Sequence, residues 1–178
     1  MLSRLIYRIK QFYFAMFAVY TPSDEKFALL YLKPKEKKLF DQLPDFEKKH
    51  SVIVARKMLA LSRLHSEVEP GKLARIGLLH DIGKILEKNT IITKSWLVII
   101  RFLLPGLYDR LAVLGEKDGR FRRFYLHKHH GAKGAELLAP LQVDDDLLSA
   151  LKNHDNDKLT ASNESIEIKL LKQADSSI

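Results

Sequence analysis

The sequence predicts an all-α protein, on three observations. Nearly every periodic segment repeats its apolar residues at intervals of three and four. The alternation of apolar and polar residues between turns that marks strands is missing. Prolines at 22, 34, 44 and 70 fall where periodic segments are interrupted or begin. With 178 residues, 46% hydrophobic, 29% charged and a mean hydropathy of -0.15, the chain fits one globular domain with a single core.

The first 20 residues carry Arg4, Arg8 and Lys10 ahead of nine apolar residues at 12–20. That is the pattern of an amphipathic helix that docks on the domain or rests on a membrane surface. It has the basic start of a signal peptide, but no A-x-A cleavage site follows, and it is too short to span a bilayer. Short helices are expected over 24–32 and 34–43, so residues 1–44 form an N-terminal helical extension and 45–178 the main domain. There a long helix covers about 45–65; Pro70 opens the next, with Gly83 placed as its C-terminal cap. Residues 89–125 are the least regular. They hold the apolar run WLVIIRFLLPGLY, interrupted by Arg101 and broken at Pro105-Gly106, and the basic, aromatic GRFRRFY. Helices resume over 131–138, 145–154 and 163–174.

A net charge of +8 and a pI near 9.6 favour polyanions, whether nucleotides, nucleic acid or an anionic lipid surface. Zero cysteines exclude disulfides, thiolate catalysis and cysteine-bound zinc, and suit a cytoplasmic protein. Any metal must therefore be held by His, Asp or Glu.

Polar residues recur on inward faces. His50 shares its stripe with Ile53, Val54, Met58 and Leu61, with Lys57 as the one polar intruder. His154 follows Leu151 and Leu147, Asp175 follows Leu171 and Ile168, and His130 leads Gly134, Leu137, Leu138 and Leu141 in the same way. The apolar run LARIGLL ends on His80 and Asp81. One histidine on an apolar face is ordinarily a hydrogen-bonded core residue, but several converging imidazoles and carboxylates suit a divalent ion. The pair at 80 and 81 also sits where unpaired helix carbonyls favour a cation. A salt bridge from Lys84 or Arg75 is the competing partner for Asp81.

This pattern resembles the HD-domain superfamily of metal-dependent phosphohydrolases, in its HDIG form. LLHDIGK carries the doublet, His50 lies thirty residues before it, and HGAKG, LSALKNHD and LLKQADSS resemble later segments of that family. The resemblance covers about 45 to the C-terminus. It implies an HD-domain helical bundle with His50, His80, Asp81 and Asp175 around one metal. His130 and His154 complete a second site bridged by Asp81. His127 or His129 serves in place of His130 if its helix starts earlier. It also implies two divalent ions (Mn, Fe, Co, Zn or Mg) and attack of a metal-activated water on a phosphate ester of a nucleotide or other phosphorylated small molecule.

Asp81 and Lys84 are the catalytic candidates, the lysine standing where the family's HDxxK lysine neutralises phosphate. Lys84, His129 and Arg123 are the candidates for substrate binding, Arg123 within the Arg120, Arg122, Arg123, Lys128 cluster. The chain departs from the HD-GYP subset, having Asn153 before His154 and no GYP loop. Phe46 stands where some trinuclear relatives carry Glu, so no third metal is expected. Two other functions stay open: a regulatory module that binds metal or nucleotide without turnover, and a basic adaptor for membrane or nucleic acid using GRFRRFY and the N-terminal helix.

Overall fold

Prolines and side-chain caps set where the helices start. The computed structural model describes residues 19–63, 65, 67–87, 90–154 and 164–177. The basic-apolar helix expected at the N-terminus lies, through residue 18, outside the described residues. Helix α1 (Pro22–Tyr31) opens on a capping box: Thr21 Oγ1 accepts from the Asp24 amide, and Asp24 Oδ2 accepts from the Thr21 amide at 3.0 Å. Helices α2 (Pro34–Phe40), α4 (Pro70–Leu79) and α6 (Pro105–Leu114) each begin with proline, whose missing N–H costs nothing there. Helix α3 is Asp45–Ser62, α5 is Ile91–Leu103, α7 is Arg122–Leu138, α8 is Asp145–Asn153 and α9 is Ile166–Ser176. The described residues contain no strand, and the fold is all-α.

The core is built around the antiparallel pair α3 and α4. Val54, Ala55 and Met58 of α3 and Leu73, Ile76 and Leu79 of α4 are fully buried. Their backbones approach so closely that a Cβ on Gly77 would lie 2.6 Å from Ala55 Cα. Helix α9 packs across this pair through Ile168 and Leu171, and α8 adds Leu147 and Leu151. Ala28, Leu32, Phe40 and Leu43 belong to the same core, so the described part of the N-terminal extension is packed into the domain.

Several expected boundaries differ. Gly83 does not cap α4: the helix ends at Leu79, and Gly83 lies inside a 3₁₀ turn, Ile82–Leu86, without positive φ. The glycine is needed for proximity, since a Cβ there would lie 2.0 Å from the His130 carbonyl oxygen. Helix α7 starts at Arg122 rather than near 131, absorbing most of GRFRRFY, with a kink at His129 (φ -116°, ψ 17°). The irregular 89–125 region contains two helices, α5 and α6. Tyr108, at the end of its apolar run, is buried. Among the described residues no helix is long and apolar enough to cross a membrane.

Candidate metal centre

Asp81 occupies the middle of the site because α4 stops just before it. His80 is the C-cap of α4, and Asp81 follows with φ -98° and ψ 9°, so the chain turns and drives both side chains into the core. Both are buried, at 1% and 2% exposure. Asp81 Oδ2 faces His80 Nε2 at 3.3 Å and His50 Nε2 at 3.7 Å. Its other oxygen, Oδ1, faces His130 Nε2 at 3.1 Å and His154 Nε2 at 3.9 Å. Asp175 Oδ1 closes the first half, 2.9 Å from His50 Nε2 and 3.9 Å from His80 Nε2. Two groups of three candidate ligands result, His50–His80–Asp81 and Asp81–His130–His154, each with its donor atoms within 4.8 Å of one another.

Three of the imidazoles are oriented by one device. His80 Nδ1–H donates to the Gly77 carbonyl at 2.9 Å, His130 Nδ1–H to that of His127 at 2.9 Å, and His154 Nδ1–H to that of Leu151 at 2.6 Å. Each bond spends the Nδ1 proton on a carbonyl three residues earlier, so a neutral ring presents the Nε2 lone pair to Asp81. Lone pairs facing a carboxylate repel it unless protons or a metal cation stand between them. That donor chemistry fits divalent ions, which neutral imidazole and carboxylate ligands hold without thiolate.

The electrostatics centre on the same carboxylate. Burial alone would raise the Asp81 pKa, but His80, the Lys84 ammonium and hydrogen bonds from His130 and His80 hold it well below the usual carboxylate range. Burial would lower the His80 pKa, yet the Asp81 charge raises it. Asp175 is likewise pulled down against its burial by the hydrogen bond from His50 and the nearby imidazoles.

Lys84 reaches Asp81 Oδ2 directly and lies 3.5 Å from Glu47. The salt bridge to Lys84 is therefore formed, on the same carboxylate that both candidate metal groups share. Arg75 is elsewhere, paired with Glu36 at 2.6 Å and Asp144 at 2.9 Å. Glu47, which sequence reasoning missed, is buried between Lys84 and Lys94. It lies three residues before His50 on α3, next to Phe46. Phe46 lies beneath the Lys94 ammonium, 5.6 Å from it.

His130 is the histidine of α7 that meets Asp81. His127 is buried beside it but bonds Tyr108 Oη at 2.6 Å, and burial pushes its pKa down to about 3. The kink at His129 turns that ring outward against Tyr125, 4.8 Å away, and Arg123 stands exposed in the first turn of α7. Neither enters the imidazole–carboxylate cluster. His65 bonds Glu67 near the end of α3, and Lys57 bonds the Ser177 carbonyl at 2.8 Å.

An all-helical domain whose histidines and aspartates converge from five chain segments on one buried carboxylate carries two groups of side chains that could hold a metal ion. The chain belongs to the HD-domain family, whose model matches residues 48–177, and that superfamily is one of metal-dependent hydrolases. No curated protein and no solved structure gave a match.

Proposed function

We propose that this protein hydrolyses a phosphate ester of a nucleotide or another phosphorylated small molecule, using two divalent ions. The observation that carries the reading is the division of Asp81: each carboxylate oxygen faces its own pair of Nε2 atoms. His50, His80, Asp81 and Asp175 would hold one ion, and Asp81, His130 and His154 the other. Ions held there would supply a water of lowered pKa and polarise a phosphoryl oxygen.

The chain's own residues do the rest. Hydrogen bonds to main-chain carbonyls fix three rings, so the donors are oriented before anything binds. Burial would lower the Lys84 pKa, but Asp81 and Glu47 raise it well above the ordinary lysine value. Lys84 is therefore an ammonium at neutral pH, and beside the cluster it offsets charge gathering on a phosphate. Arg123 and His129 lie further out, as contacts for the remainder of the substrate.

The test is turnover of bis-p-nitrophenyl phosphate with manganese or cobalt, alongside metal content by elemental analysis. Activity lost in Asp81→Ala, with two ions per chain falling to one in His154→Ala, supports the reading. Absence of bound metal after reconstitution with any of these ions removes it.

A further inference from the structure

Helix α5 is apolar on two sides: Leu97 is buried against the domain, yet a second apolar stripe faces water. A surface helix normally turns its apolar stripe to the core and its charges to water. In α5 the only charged residues are Lys94, which pairs with Glu47, and the exposed Arg101, whose guanidinium lies over the Tyr108 ring of α6 at 5.9 Å. Ile92, Trp96, Ile99 and Leu103, at i, i+4, i+7 and i+11, form one stripe that is 44% to 69% exposed. The apolar surface continues through the turn as Leu104 and Leu107, and on α6 Leu107 shares a face with exposed Arg110 and Leu114. Exposed aliphatic residues are ordinary singly; a continuous run of this length marks an interaction surface.

We infer that the α5–α6 face docks on an anionic membrane surface, with α5 lying in the interface. Charge selects this occupant. Residues 90–128 hold eight Lys or Arg against three Asp or Glu, and with Lys94 neutralised by Glu47 four surplus positive charges remain there. Of the three acids, Asp109 is paired with Lys128 at 2.7 Å and Asp118 with Arg120 at 2.8 Å. A second copy on this face would oppose two surplus positive surfaces. Nucleic acid would match the charge but not the aliphatic stripe. Thirteen residues span about 20 Å, too short to cross a bilayer but suited to lie within one leaflet's interface. This inference does not depend on the hydrolase reading.

Trp96 is the single tryptophan of the chain, so its fluorescence reports on this stripe alone. The full-length protein is titrated with phosphatidylglycerol vesicles, with phosphatidylcholine vesicles and with single-stranded RNA, with brominated lipid as quencher. The expected result is a blue shift and quenching with phosphatidylglycerol only, weakened at high salt. Ile92→Ser with Ile99→Ser should lower partitioning about a hundred-fold at unchanged circular dichroism and metal content. Arg110→Ala should weaken it about five-fold. The inference is overturned by unshifted emission on vesicles, or by vesicle pelleting with Trp96 unquenched, which assigns binding to another segment. A response to RNA alone overturns it too, as does a lipid-free blue shift that reverses when a dimer dissociates on dilution.

Discussion

Glu47→Gln isolates the charge that the sequence concealed. Glu47 is 3% exposed, and burial alone would raise its pKa; the ammonium groups of Lys84 and Lys94 instead bring it from 4.5 down to about 2. Because the folded-state pKa is depressed, the stabilisation is fully present above about pH 4.5 and is lost as pH falls through about 2. At about 1.4 kcal/mol per pKa unit, the contribution is on the order of 3 kcal/mol. Glutamine keeps the shape and leaves two ammonium groups beside an uncharged amide, a cost of the same order. Urea unfolding followed by circular dichroism, with chelator present, should place the variant's midpoint at pH 7 about 2 M below wild type for a slope of about 1.5 kcal/mol per M. The gap should shrink to about half by pH 3. Equal midpoints at pH 7, or a gap unchanged down to pH 3, would refute the assignment of Glu47 as a buried, ion-paired carboxylate.

Other perturbations probe the frame around the site. In Gly131→Ala the new Cβ would lie 2.4 Å from the Leu151 carbonyl oxygen and 2.9 Å from His154 Cε1. It should lower stability by about 1–3 kcal/mol and cost the His154 side its ion, read by calorimetry and elemental analysis. Manganese or cobalt should raise the melting temperature of wild type but not of Asp81→Ala, since only a formed ligand set links binding to folding. Asp24 is 1% exposed, accepts a hydrogen bond from Lys49 at 2.7 Å and is ion-paired with Arg56 at 3.0 Å. Asp24→Asn should cost about 3 kcal/mol in denaturant titration by leaving both cations without their carboxylate. Leu79→Ala, at a fully buried position of α4, should cost about 2–5 kcal/mol, measured the same way.

Periodicity made the helical class legible, because each of the helices around the site buries one apolar stripe. The same stripes disclosed His50, His130, His154 and Asp175, polar residues at apolar positions, and the structure gathers them around Asp81. The 89–125 region is obscure for a physical reason: α5 is apolar both on its buried side, at Leu97, and on a stripe facing water, so amphipathicity does not say which side faces the core. Glu47 was hidden because the cations that make its burial tolerable come from positions 84 and 94, a tertiary arrangement that local pattern does not encode. Gly83 was misplaced since a terminal glycine usually signals a left-handed cap, whereas this one makes room for a neighbouring carbonyl.

Room is the theme of three glycines. Gly77 brings α3 and α4 together, Gly83 seats the 3₁₀ turn on α7, and Gly131 admits the end of α8. At 77 and 131 helix propensity alone would favour alanine by about 1 kcal/mol. Thermostabilisation by replacing helical glycines is usually a safe strategy for a bundle; here it would pry apart the seams that keep the imidazoles in register. An engineer seeking a tougher variant should spare those positions and work on the outer faces instead.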